Sequence, residues 1–179
     1  MDVATTGWIN GLAGQPFWDA VMRAAAVWGV PLMVALVALQ WWGPQPRRPI
    51  RHVAILAGLA FLLGLAINQG ILLFVHRMRP YDMGVTRLLI AKSADWSFPS
   101  DHATACFAIV AAFWIRGLRL RALAFTVLAA LICFSRVYLG IHYAGDILGG
   151  ALTGTLAAAL VAWVYRAGSR IDRFATGIL

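Results

Sequence analysis

Apolar residues run almost without interruption through five segments of the chain, and polar residues collect at the segment ends. A helix needs roughly 20 apolar residues to cross a bilayer. Residues 21–42, 50–75, 99–116, 121–139 and 143–165 meet or approach that length. The pattern therefore predicts an all-α bundle of about five transmembrane helices. The third span is short, and its opening FPSDH falls near the membrane interface. Residues 1–20 read differently: Trp8, Ile9, Leu12, Phe17 and Trp18 stand among polar residues, as in a segment lying in the interface rather than a sixth span. WWGPQPRRPIRH separates the first two spans, and RGLRLR makes a tight turn between the third and fourth. No internal repeat or low-complexity tract is present.

Composition sharpens this picture. The chain has 179 residues, 61% hydrophobic and only 12% charged, which excludes an ordinary water-soluble domain. The net charge of +8 would suggest nucleic acid in a soluble protein; here it reports sidedness, with no nucleic-acid partner expected. Alternating the spans places Arg47, Arg48, Arg51, Arg116, Arg119, Arg121, Arg166, Arg170 and Arg173 on one face, with Asp172 as its only acid. Arg23, Arg77, Arg79, Arg87, Lys92 and Arg136 fall on the other, with the remaining acids. The positive-inside rule assigns the first face to the cytoplasm. Residues 1–16 lack the basic start and apolar centre of a cleavable signal. Cys106 and Cys133 lie inside apolar runs and read as buried small hydrophobes.

Three polar clusters share the outer face: HRMRPYD at 76–82, SFPSDHAT at 97–104 and SRVYLGIHYAGD at 135–146. Ionisable groups at membrane depth are costly and mark sites or cavities. His142 and Asp146 are four residues apart, one turn above each other if both are helical. A carboxylate on one imidazole nitrogen would leave the other free to attack. His102 comes from another helix and suits proton donation to a leaving group. Arg79 and Arg136 carry forked donors that match phosphate oxygens. Ser100 lies in the first turn of a helix begun by Ser97 and Pro99, where free N–H groups favour an anion. Together they fit phosphoryl transfer, in which fixed positive groups meet the charge on the transferring oxygens.

RP at 79–80, PSDH at 99–102 and SRVYLGIHYAGD at 135–146 resemble the three motifs of the type 2 phosphatidic acid phosphatase superfamily, shared with vanadium haloperoxidases. The third match is complete. The second has Asp101 where the generic family has glycine, and with the preceding ADWSF it is similar to the branch that dephosphorylates undecaprenyl pyrophosphate, the bacitracin-resistance type. In the first, Leu72 occupies the family's lysine position. The resemblance covers about residues 50–165 and implies one membrane-embedded phosphatase domain over 1–179. It implies that His142 attacks phosphorus to form a phosphohistidine, that Asp146 orients it, and that His102 protonates the leaving oxygen. Arg79, Arg136 and Ser100 would hold the phosphoryl oxygens, with no metal or cofactor. Arg77, closer to RP than Leu72, is the expected substitute for the missing lysine. The implied substrate is a lipid phosphate, best undecaprenyl pyrophosphate, met at the outer face of a bacterial inner membrane.

Other readings remain open at this stage. SR with HxxxD also fits a structural network between helix ends. His102, His142 and Asp146 could ligate a metal, although two adjacent arginines would repel a divalent cation. The activity could instead be directed at phosphatidylglycerol phosphate or phosphatidic acid, or the protein could be a lipid or anion transporter. His52 and His76 read as interfacial polar residues, Asn68 and Gln69 as helix–helix hydrogen bonds, and the glycines of GDILGGALTGTLAAA as close helix packing.

Overall fold

The computed structural model describes residues 1–43 and 47–178. Part of the break read between the first two spans, Pro44 to Pro46, lies outside the described residues. Among the described residues there are seven α-helices and no strand: α1 Asp2–Gly11, α2 Pro16–Leu39, α3 Arg47–Leu72, α4 Asp101–Ile115, α5 Arg119–Tyr138, α6 Ala144–Val164 and α7 Arg170–Thr176. A short 3-10 turn, Gln40–Trp42, extends α2.

Helices α2, α3, α5 and α6 are long and apolar enough to cross a membrane. α4 has 15 residues, or about 22 Å at 1.5 Å per residue, and is shorter than the hydrocarbon layer. It sits in the middle of the bundle, where Ala103, Cys106, Ala108, Ala112 and Phe113 are all buried. A central helix enclosed by longer neighbours need not reach both surfaces itself. α6 shows the two environments plainly. Gly150, Thr153, Gly154, Ala157, Ala158 and Val161 face inward, whereas Leu148, Leu152, Leu156 and Leu160 form an exposed stripe at four-residue spacing. A continuous exposed leucine stripe suits hydrocarbon, not water. The chain is an all-α integral membrane protein.

Small residues let α4 and α6 meet backbone to backbone. A Cβ on Gly150 would run into the Ser100 carbonyl oxygen, and one on Gly154 into the Thr104 carbonyl oxygen. Asn68 on α3 donates to Asp101 Oδ1 at 2.7 Å and to Thr104 Oγ1 at 2.9 Å, so it is the helix–helix bond the sequence suggested; Gln69 is exposed. These contacts set the start of α4 level with Asn68, roughly one turn inside the end of α3.

Several boundaries differ from the sequence reading. The N-terminal segment is not one piece. It splits into α1 and the first turn of α2, which starts at Pro16, a residue whose fixed φ and missing N–H suit a first helical position. Phe17 and Trp18 thus belong to a spanning helix. α1 is pinned to the bundle end rather than simply resting in the interface: Asn10 Nδ2 donates to the Arg87 and Tyr138 carbonyls at 3.0 and 2.8 Å. α3 stops at Leu72, so Leu72 and Arg79 do not share a helix. α7 was not foreseen; its N-cap Ser169 accepts from the Asp172 N–H at 3.1 Å.

Candidate active site

Four helix ends meet at one end of the bundle: the end of α3, the start of α4, the end of α5 and the start of α6. The connection 73–100 closes over them. It contains a cis Phe98–Pro99 peptide and is stitched in place by the Ser97 N–H on the Arg77 carbonyl at 2.9 Å. Its 85–90 stretch is tied down as well: Thr86 Oγ1 bonds the Gly140 carbonyl at 2.9 Å, and the Leu89 N–H bonds that of Leu139 at 3.1 Å.

His142 is not on α6, as the four-residue spacing suggested. The chain leaves α5, turns at Gly140 with φ +78°, and enters α6 only at Ala144. The ring is nonetheless close to Asp146. Its Nδ1 lies 2.9 Å from the Ser97 carbonyl oxygen and 3.4 Å from Asp146 Oδ2. The nearer partner is therefore a main-chain carbonyl, which can only accept, so Nδ1 carries the proton. Nε2 keeps its lone pair, which meets only a long contact from Arg79 Nη1 at 3.4 Å. Burial pushes the imidazole below its usual range; contact with Asp146 opposes this, and Arg136 and Arg79 add to it. Neutral imidazole is the form that can act as a nucleophile.

Asp146 is completely buried and fully bonded. Oδ2 accepts from Ser97 Oγ at 2.5 Å and from the Tyr143 N–H at 2.9 Å. Oδ1 accepts from Arg77 Nη1 at 2.7 Å. A buried carboxylate is tolerated only when so partnered.

Arg77 is placed away from the expected phosphate contact. Nη1 holds Asp146 and Nη2 holds Asp2 Oδ2 at 2.6 Å, while the guanidinium lies 3.9 Å over the Tyr143 ring. Its two carboxylates raise it above the usual arginine range even though burial works against the charge. Asp2 itself caps the start of α6, accepting from the Gly145 N–H at 2.8 Å. Thr6 Oγ1 accepts from the Ala144 N–H at 3.1 Å. α1 thus braces the helix that carries Asp146.

Arg79 is buried and heavily committed. It donates from Nε to the Asp95 carbonyl at 3.0 Å, from Nη1 to that of Ile141 at 2.9 Å, and from Nη2 to Asp95 Oδ1 at 2.7 Å. Burial works to raise the Asp95 carboxyl, but hydrogen bonds from Ser93 and Arg79 hold it below the usual range. Arg136 lies in the last turn of α5, is 7% exposed, and its Nε finds no partner among the described residues. Ser100 is the N-cap of α4, after Ser97 and Pro99 rather than in the first turn; its Oγ is buried and also unpartnered.

His142, His102, Arg79 and Arg136 line one cavity of about 100 Å³, together with Asp95 and Asp101. That is roughly three waters' volume, enough for a phosphoryl group and not for a lipid. Ser100 lies beside this cavity rather than on its wall, and Arg77 lies behind Asp146. Sequence reasoning missed three contributors: Ser97, which serves both His142 and Asp146; Asp95, which holds Arg79; and α1. The serine in ADWSF was visible, but only the folded connection brings it to a residue 49 positions away.

A buried imidazole with Nδ1 anchored and Nε2 facing the cavity, beside a second imidazole and two guanidiniums, is an arrangement that can carry out phosphoryl transfer. The chain belongs to the PAP2 superfamily, whose model matches residues 51–170. Among curated proteins it is 34% identical over 122 residues to undecaprenyl-diphosphatase BcrC of Bacillus subtilis, covering 68% of this chain. It is 37% identical over 133 residues to putative undecaprenyl-diphosphatase YbjG of Escherichia coli, covering 71%. In both cases the match spans 62% of the relative's own length. Two crystal structures share the fold. LpxE of Aquifex aeolicus superposes with a TM-score of 0.73 at 22% identity, covering 89% of this chain and 93% of that one. A PAP2-type phosphatidylglycerolphosphate phosphatase of Bacillus subtilis gives 0.67 at 25% identity, covering 93% and 87%.

Proposed function

We propose that this protein is a membrane lipid phosphatase acting through a phosphohistidine. The observation that carries this reading is the convergence of His142 Nε2, His102, Arg79 and Arg136 on one phosphoryl-sized cavity. In the first step the Nε2 lone pair attacks phosphorus and the bond to the leaving oxygen breaks. His102 supplies the proton that this oxygen takes up. In the second step His102, now the base, draws a proton from water; the water oxygen displaces the imidazole and inorganic phosphate leaves. Ser97 and Asp146 hold the proton on Nδ1 and stabilise the charge that the ring gains during attack. Arg136, with its free Nε, and Arg79 meet the equatorial oxygens. Phosphate entering the cavity competes with Asp95 for Arg79, and the partly exposed Asp95 side chain can swing away. Arg77 acts as a positioning residue on Asp146, not as the substitute for the family lysine.

The substrate we favour is undecaprenyl pyrophosphate, converted to the monophosphate and inorganic phosphate. The names of the two curated relatives support it, as does the resemblance of PSDH at 99–102 to the undecaprenyl pyrophosphate branch. A glycerolipid phosphate is the second reading, supported by the likeness to the phosphatidylglycerolphosphate phosphatase. We place the site at the outer face of a bacterial inner membrane, because the arginine-rich ends of α3, α5 and α7 lie at the other end of the bundle. Detergent-solubilised protein given labelled undecaprenyl pyrophosphate and phosphatidylglycerol phosphate should release phosphate, fastest from the former. An alkaline denaturing quench should trap label on wild-type protein and none on His142→Ala, which should lose turnover by orders of magnitude. Near-normal turnover in that variant would end the proposal. Cysteines at Met83 and Arg119 should be labelled from opposite sides of intact cells, Met83 from outside; the reverse would overturn the orientation.

A further inference from the structure

The opposite end of the bundle holds a second, larger cavity of about 400 Å³. α3 begins there, α4 and α6 end there, and α7 folds across it. Arg48, Arg116 and Arg173 line it together with His52 and Asp172. His52 is only 4% exposed. Its Nδ1 lies 2.7 Å from Asp172 Oδ1, and its ring stacks on Tyr165 at 4.7 Å.

Asp172 is held as a firm acceptor. Burial works to raise its pKa, but the Tyr165 hydroxyl and the Gly168 N–H, each at 2.7 Å, and His52 keep it below the usual carboxylate range. A carboxylate at that distance fixes the proton on Nδ1 and turns Nε2 away. Nε2 is buried and has no hydrogen-bond partner among the described residues. Arg116 Nε is in the same condition. Two orphaned buried nitrogens on one cavity wall call for a ligand, since such groups are rarely left unmade. Three guanidiniums against one carboxylate make that ligand an anion, and guanidinium forks suit phosphate.

We propose that this cavity binds a phosphate group, held by His52 Nε2, Arg48, Arg116 and Arg173, at a site separate from the one that performs the chemistry. The source is either the headgroup of an anionic lipid on that side of the membrane or soluble phosphate. The inference does not depend on the proposed reaction. With the Nδ1 proton on Asp172, Nε2 accepts from a hydroxyl of the ligand, the O–H of hydrogen phosphate or of a glycerol headgroup, while the guanidiniums hold its charged oxygens. The other groups around the ring are Tyr165, stacked on it, and Arg48, Arg116 and Arg173 on the cavity wall.

The test uses the full chain in phosphatidylcholine nanodiscs with ¹⁵N-labelled histidine. The chain has four histidines, and His52→Gln assigns the resonance by its loss. Inorganic phosphate is added in one arm and phosphatidylglycerol in the other. The expected result is a shift of the His52 Nε2 signal from an unbonded to a hydrogen-bonded nitrogen in at least one arm; the arm that responds identifies the source. In Arg48→Gln with Arg173→Gln, both exposed positions, the midpoint should move about tenfold or more, as expected for lost charge-assisted contacts. No response in either arm, or an unmoved midpoint in the double variant, overturns the proposal.

Discussion

Arg77→Gln separates two roles that the same residue can be given. Arg77 Nη1 stands 2.7 Å from Asp146 Oδ1, with the arginine side chain 31% exposed and the aspartate fully buried. A hydrogen bond to a charged group contributes about 1.5–3 kcal/mol. Water can partly replace the guanidinium from its exposed side, and Ser97 and the Tyr143 N–H still hold the other carboxylate oxygen. The lower part of the range therefore applies, about 1.5–2 kcal/mol. At about 1.4 kcal/mol per decade, kcat should fall about ten- to thirtyfold. KM should change by no more than about twofold, because the lost contact orients the nucleophile rather than holding the phosphate. Asp2→Asn removes only the far side of the bridge and should cost about two- to fivefold in kcat. The assay is phosphate release by solubilised protein across a range of lipid concentrations. A raised KM with preserved kcat would mean that Arg77 touches the phosphate after all. A silent variant would mean that Asp146 needs no third partner.

Other outcomes follow from the same geometry. Ser97→Ala removes the 2.5 Å bond to Asp146 and should lower kcat about tenfold while leaving the Ser97 carbonyl on His142; activity within about twofold of wild type would contradict this. Gly154→Ala drives a methyl group into the Thr104 backbone and should cost about 1–3 kcal/mol, seen as a lower unfolding midpoint in detergent. Because burial depresses the His142 pKa, the acid limb of kcat/KM should fall below the ordinary imidazole value of about 6.5, once substrate titration is subtracted. The sign for stability is the same: the unfolded chain takes up this proton first, so stability drops as pH falls below about 6.5. An acid limb at or above that value would refute the assignment. Chelators should leave turnover unchanged, since nucleophile, acid and anion donors are all side chains; loss of activity with recovery on adding a divalent metal would require another mechanism.

The spans and the SR/HxxxD spacing were legible in the sequence because both are short-range patterns. Apolar runs declare themselves residue by residue, and the motif keeps its parts within twelve positions. The relation of His142 to Asp146 was misread because spacing alone cannot show that the helix starts between them. The glycine at 140 was the available signal, since a left-handed turn favours it. Pro16 likewise marked the start of α2, and the S-x-x-D of Ser169 and Asp172 marked that of α7. The partners of Arg77 and Asn10 carried no such mark. Asp2 and Arg77 are 75 positions apart, and Asn10 and Tyr138 are 128 apart. A basic residue near RP reads as a phosphate ligand, and spacing gave no sign of the carboxylates that Arg77 meets at 2.7 and 2.6 Å.

The direct backbone contact of α4 with α6 has a mechanical consequence. His102 rides on the first turn of α4, and Asp146, which steadies His142, on the first turn of α6. Gly150 and Gly154 leave no compressible side-chain layer between those two helices. Changes in bilayer thickness or lateral pressure act on the leucine-faced exterior, and this rigid contact resists their transmission to the spacing between His102 and His142. On the reading proposed above, the proton donor and the nucleophile are thereby decoupled from the mechanics of the surrounding bilayer.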